Sequence, residues 1–192
     1  MRNSEASKER ILEAAMAEFS AYGIAGARVD RIAKAAGCNK NLIYIYFESK
    51  EKLFTTVLEK NLVRVYQELA FASQDLASYA GRLFDFAIAN PDLMRLLAWS
   101  NLEQAATSSN ERVTSRDAKI AELQKAQETG QIAETFTPDF LLTAIMTLAT
   151  GWTAANPFGL LHDPQATKHP AALRKDLEKA VRLLTAHTSE DS

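Results

Sequence analysis

Apolar residues recur at intervals of three and four from one end of the chain to the other, and no stretch alternates apolar and polar residues as a half-buried strand does. That spacing commits the chain to helices that each bury one stripe, so the expected fold class is all-α. Helix breakers are sparse, with 7 Gly and 5 Pro among 192 residues, which leaves little material for a turn-rich sheet protein. Hydrophobic residues make up 47% and charged residues 24%, so a chain of this length can bury a substantial core in one or two domains.

The periodicity and its punctuation predict about nine helices. The first runs from about Ser7 to Tyr22, with Ser7 as its cap and Ile11, Leu12, Ala15 and Phe19 as its buried stripe. Gly23 then supplies a left-handed residue that folds Ile24 back onto Phe19. Two short helices follow, Val29–Ala36 and Lys40–Phe47, and then a long one, capped by Ser49 and reaching about Ser73, with Leu53, Val57, Leu62, Val65 and Leu69 inward. Further helices are expected at about Asp75–Ala89, Pro91–Gln104, Glu111–Thr129, Pro138–Ala154 and Ala171–Ala186. Ala105–Asn110 reads as a polar break, and Asn156–Pro170, with three prolines and a glycine, as a connection.

The most informative stretch is Val29–Phe54. Ile32, Ala33 and Ala36 face inward from the first short helix, and the small Ala33 lets the second cross closely. Gly37 provides the left-handed turn residue, and Asn39 can cap the second helix, which is anchored by Ile43 and Phe47. Lys40, Asn41, Leu42, Tyr44 and Tyr46 remain to face outward, although Tyr44 and Tyr46 point some 200° apart, so one of them has a packing role open to it. Two helices joined in this way form a helix-turn-helix, whose second helix enters the major groove with its first residues at base edges.

The run Ile32-Ala33, Ala36-Gly37, Ile43-Tyr44, Phe47, Ser49-Lys50-Glu51 and Leu53-Phe54 resembles the N-terminal domain of the tetracycline-repressor (TetR) family. The preceding Ile11-Leu12-Glu13-Ala14-Ala15, Phe19 and Gly23 are similar to it as well, so the likeness covers Lys8–Phe54. The resemblance implies a DNA-binding domain at residues 1–48 and a helical ligand-binding and dimerisation domain at 49–192. It implies that Lys40, Asn41 and Leu42 approach bases, that Tyr44, Tyr46 and Lys50 hold phosphates, and that Arg28 meets the backbone or an edge base. The chemistry suits these roles: Lys donates to guanine, Asn pairs with adenine, and Leu packs on a thymine methyl. Departures from the family pattern are Ala27-Arg28 where a hydroxyl cap is common, Asp30 where a basic residue is common, Cys38 for Val, and Asn41-Leu42 for Gly-Thr.

Charge gives weak support. Residues 1–54 hold nine Lys/Arg against seven Asp/Glu, or +2, and the net −2 of the whole chain leaves −4 for the rest. The single Cys38 excludes an internal disulfide and reads as a packing residue of the turn rather than a redox sensor. His162, His169 and His187 lack metal-ligand spacing, and no cofactor or metal is expected. No nucleophile elbow or phosphate loop is present, so the expectation is a binder and not an enzyme. The polar start Met1–Glu5 and the lack of a run of ~18 apolar residues fit a soluble cytoplasmic protein. Phe86, Trp99, Asn101, Met146 and Trp152 are candidates for an effector site, with core packing as the other reading, and the few charges among them favour an apolar or aromatic effector. Leu141, Ile145, Leu148 and Trp152, with Leu173, Leu177, Val181 and Leu184, form two stripes suited to a homodimer through the last two helices, the alternative being packing within one chain. The expected function is a dimeric, ligand-released repressor on a palindromic operator, although residues alone do not separate repression from activation.

Overall fold

A computed structural model describes residues 2–103 and 110–187. It contains ten α-helices: α1 (Arg2–Gly26), α2 (Val29–Ala36), α3 (Lys40–Phe47), α4 (Lys50–Glu68), α5 (Leu76–Ala89), α6 (Pro91–Leu102), α7 (Asn110–Glu128), α8 (Pro138–Thr150), α9 (Gly159–His162) and α10 (Pro170–Thr185). Among the described residues there is no strand, in keeping with the all-α expectation. The tenth helix is the four-residue α9, which lies inside the expected connection Asn156–Pro170 together with a 3-10 turn at Ala166–Lys168. Gln104 and Ala105–Ser109, the expected helix end and polar break, lie outside the described residues.

Several boundaries differ from the periodicity, each for a local reason. Ser7 is not a cap, because α1 begins at Arg2 and the Ser7 hydroxyl instead accepts from Arg10. α4 stops at Glu68 and not near Ser73: Arg82 takes the Ala70 carbonyl and Glu122 accepts the Ser73 N–H at 2.8 Å, so tertiary partners replace the helical ones. α8 ends at Thr150 and not Ala154, where the Thr153 hydroxyl donates to the Thr150 carbonyl at 2.8 Å. Thr137 caps α8 as its sequence position suggests, accepting from the Phe140 N–H.

The chain forms two compact units, one holding α1–α4 and α6, the other α5 and α7–α10. In the first, α1 is the common element. Its Ile11, Ala15 and Phe19 are fully buried, Phe19 meets Phe54 of α4 edge-to-face at 5.2 Å, and α2 and α6 pack on its other faces. In the second unit α5 takes that part, packing on both α8 and α10 with Tyr79, Ala80 and Phe84 at its centre. Leu141 and Ile145 of α8 and Leu177 and Val181 of α10 are buried within this chain. Half of the two stripes expected to dimerise thus serves the internal core, because α5 already covers it. Phe140 and Leu183, 51% and 69% exposed, lie on the outer sides of the same helices.

Of the three glycines at positive φ among the described residues, Gly37 and Gly23 hold it for different reasons. Gly37 (φ 65, ψ 39) ends α2 in the left-handed conformation, and a methyl there would meet nothing within 4 Å. Gly23 (φ 66, ψ −177) breaks α1, and a methyl there would run into the Glu103 carboxylate and the Trp99 indole of α6's end. Gly37→Ala is therefore expected to lower stability by the left-handed penalty alone, about 1–2 kcal/mol. Gly23→Ala should cost more, since about 1–3 kcal/mol of backbone strain is joined by collision. Urea unfolding of the two variants with unchanged slope checks the order, and equal losses would contradict it.

Candidate DNA-binding surface

The helix-turn-helix is built from short-range signals. Asn39 accepts the Asn41 N–H at 2.9 Å and so starts α3, while Ile43 and Phe47, 1% and 2% exposed, fasten α3 from below. Glu48, a non-glycine at φ 64, turns the chain, and the Ser49 hydroxyl accepts the Lys52 N–H at 3.0 Å to open α4.

The start of α2 carries no hydroxyl cap, and its substitute comes from α1. Glu18 is buried, and its Oε1 accepts the Arg28 N–H at 2.8 Å and the Arg31 Nε at 2.7 Å. A carboxylate at a helix N-terminus meets both free N–H groups and the positive end of the helix dipole. Arg31 also donates to the Gly26 carbonyl at 3.0 Å and lies 4.3 Å from the Tyr22 ring centre. Burial by itself pushes the Glu18 carboxyl up, but the bonds from Arg31 and Arg28 and their charges outweigh it and hold it below the usual carboxylate range.

The sequence-predicted residues are partly brought together. Asn41 and Tyr44 are exposed on α3, Leu42 and Lys40 are half-buried beside them, and Arg28 is exposed at the start of α2. Lys40 lies 3.0 Å from Asp30 of α2, which raises its pKa and ties the side chain across the two helices. Tyr46 turns the other way: its hydroxyl shares a hydrogen bond with Ser4 at 3.0 Å, and its ring meets Phe47 edge-on. Lys50 donates to the Ala27 carbonyl at 3.3 Å. Ile45 is 73% exposed on α3. The i, i+4 spacing from Asn41 was the signal that could have singled it out.

The effector candidates divide between the units. Phe86, Met146 and Trp152 lie in the second, Phe86 8% exposed and the other two half-buried. Trp99 and Asn101 lie in the first, where Asn101 is exposed and the Trp99 indole donates to the Ser20 carbonyl at 3.3 Å. A residue not anticipated is Lys119 of α7, whose Nζ stands 6.0 and 5.8 Å from the ring centres of Phe71 and Tyr79, and whose pKa burial lowers. Among the described residues no group of three His, Cys, Asp or Glu side chains is placed to hold a metal ion, and no helix is long and apolar enough to cross a membrane.

Comparison with known proteins agrees with this geometry. Residues 11–57 match the family described as bacterial regulatory proteins, tetR family, and residues 75–182 match the tetracyclin repressor-like C-terminal domain. The chain belongs to the TetR family. It is a DNA-binding transcriptional regulator whose helix-turn-helix is α2–α3. Among its TetR relatives, the HTH-type transcriptional repressor SCO4008 of Streptomyces coelicolor is 38% identical over 81% of this chain and 82% of that one. The HTH-type transcriptional repressor NicS of Pseudomonas putida is 33% identical over 74% of this chain and 71% of its own. The crystal structure of SCO4942 from Streptomyces coelicolor superposes with a TM-score of 0.83 at 33% identity, covering 95% of this chain and 99% of that chain. FadR of Bacillus subtilis, solved with stearoyl-CoA, shares the TetR fold with a TM-score of 0.64 at 17% identity, over 88% of this chain and 96% of its own.

Two outcomes follow. Glu18→Gln should cost about 1–3 kcal/mol, because the partners of a buried charged group lose their strongest acceptor. A carboxylate whose folded pKa lies below its unfolded one contributes stability that is complete above the unfolded pKa and is lost as pH falls through the folded one. The parent should therefore lose stability on acidification more steeply than Glu18→Gln, and parallel melting curves across the carboxylate range would overturn the assignment. Asp30→Asn should release Lys40 and tighten binding to all duplexes, steepening the logarithmic salt dependence by up to about 0.9 for one added phosphate contact. An unchanged slope would mean that Lys40 stays away from DNA.

Proposed function

We propose that this chain is a repressor that binds an inverted-repeat operator as a homodimer and is released by a small apolar or aromatic effector. The supporting observation is the outward face of α3, where Asn41, Tyr44 and Ile45 are exposed beside Lys40 and Leu42, on a helix held from below by Ile43 and Phe47. Residues 1–48 form the DNA-binding part in this reading, and 49–192 the effector-binding and dimerising part. Lys40, Asn41 and Leu42 meet base edges, with Ile45 packing on a thymine methyl. Tyr44 and Arg28 hold the backbone. Tyr46 and Lys50 reach phosphates by exchanging their internal partners, Ser4 and the Ala27 carbonyl.

Two copies would set their α3 helices in successive major grooves, roughly 34–36 Å apart. The outer sides of α8 and α10, with Phe140 and Leu183 exposed, are the dimer surface in this proposal. Phe86 of α5 and Met146 of α8, on helices that pack together, and Trp152 beyond α8 supply apolar lining for the effector. FadR, a neighbour in fold, holds stearoyl-CoA, a ligand with a long apolar part. Release requires that the effector favour an arrangement unable to bind DNA. The chain acts in the cytoplasm and binds without turnover, so bound duplex is recovered unaltered.

Selection from a random duplex library is expected to enrich an inverted repeat whose half-sites lie one helical turn or more apart. Lys40→Ala and Asn41→Ala should each cost about 1–3 kcal/mol on that site and relax preference at one base pair, and Ile45→Ala should relax preference at a thymine. Tyr44→Ala should weaken all duplexes alike. Absence of enrichment with a folded dimer would sink the operator reading, and unchanged preference in the three base-facing variants would sink the residue assignment.

A further inference from the structure

In an unbroken helix the Ile24 N–H would bond to the Ser20 carbonyl one turn back. The Gly23 break, at ψ −177, swings that N–H out of line and leaves both groups without their helical partner. Each is met by a side chain from the end of α6. The Trp99 indole donates to the Ser20 carbonyl at 3.3 Å. The Glu103 carboxylate accepts the Ile24 N–H at 3.0 and 3.1 Å and the Ala25 N–H at 3.3 and 3.4 Å. Trp99 and Glu103, four residues apart, thus each take over one former partner of a single main-chain hydrogen bond. Glu103 is also the C-cap of α6, where a negative charge opposes the helix dipole, so its placement answers to α1 and not to its own helix.

What lies next to this clip is the connection to the helix-turn-helix. Between Ile24 and Arg28 the backbone is held by charged side chains from four elements. Glu103 takes the first two N–H groups, Arg31 of α2 the Gly26 carbonyl, Lys50 of α4 the Ala27 carbonyl, and Glu18 of α1 the Arg28 N–H. α2 begins one residue later, at Val29. A shift of α6 along its axis must either break the clip or carry Ile24 and Ala25 with it, and the short, multiply bonded connection passes that displacement to α2 and hence α3. Along the chain, a single residue, Asn90, separates α6 from α5.

We propose that Trp99 and Glu103 are positioning residues for DNA recognition: they clip α6 to the break in α1, so that the placement of the helix-turn-helix follows the position of α6. This rests on the reading of the chain as an effector-released operator binder, and it supplies a route from α6 to α2–α3. Coupling of this kind is reciprocal, so DNA on α3 must alter the state of the clip.

Amide hydrogen exchange on the full chain tests it, with and without the selected duplex, in the parent and in Glu103→Ala, Glu103→Gln and Trp99→Phe. In the parent, the duplex should change exchange at Ile24, Ala25 and the α6 segment 93–103, far from the contacted bases. Glu103→Ala should weaken duplex binding about tenfold, within the usual range for coupled sites. It should also abolish the α6 response while the cores of α4 and α5 keep their protection. Glu103→Gln, which retains one acceptor oxygen, should recover part of both effects. Trp99→Phe, which keeps the packing and loses the donor, should show the same loss in milder form and serves if Glu103→Ala does not fold. Parental affinity in Glu103→Ala and Trp99→Phe, or an α6 segment indifferent to bound duplex, overturns the proposal. If the parent binds no duplex, the operator reading fails separately. The clip then stands or falls on whether these variants alter exchange in α3 of the free protein.

Discussion

The first unit depends on one buried carboxylate. Glu18 lies on the inward side of α1, yet it is charged, and it is held so by the N–H that opens α2 and by the guanidinium of Arg31. A buried charge is tolerated only when its bonds are nearly all made, so the carboxylate fixes the distance and direction between α1 and the start of α2 more tightly than apolar packing could. The helix-turn-helix inherits that placement, because α3 follows α2 through a turn of only three residues, Gly37 to Asn39.

The same economy recurs along α1. Its apolar stripe binds α4 through Phe19 and Phe54, its polar edge binds α2 through Glu18, and its break at Gly23 binds α6 through Trp99 and Glu103. One helix therefore organises the unit that reads DNA, and its interruption is as necessary as its regular part. In the second unit α5 is nearly encircled: nine of its residues are buried, which explains why α8 and α10 spend much of their apolar surface on it and present separate, outer sides for any further contact.

The outward face of α3 combines exposed side chains with internally tied lysines. α3 shows to the outside an amide, a phenol and an isoleucine that is 73% exposed. Lys40 and Lys50 are both engaged within the protein, one by Asp30 and the other by the Ala27 carbonyl. The exposed Lys40–Asp30 pair is worth little in water, so exchanging Asp30 for a phosphate costs little.

Sequence by itself determined much of what acts within about one helical turn, although not the start of α1, where Ser7 lies inside the helix. The limits of α2 and α3, the Asn39 and Thr137 caps, the left-handed Gly37 and the inward Ile32, Ala33, Ile43 and Phe47 were all legible, since each depends on neighbours three or four residues away. The family likeness was legible in the same segment for the same reason. Only the tertiary structure decided that Glu18 would cap α2, that Lys40 would face Asp30, that Tyr46 would turn to Ser4, and that Trp99 would serve α1. It also decided that α6 belongs with the DNA-reading helices and that half of the α8 and α10 stripes are spent inside the chain. Spacing records that a residue is apolar or charged and which side of its helix it occupies. Which distant helix meets that side depends on how the stripes of all the helices share one core, and no local pattern carries that information.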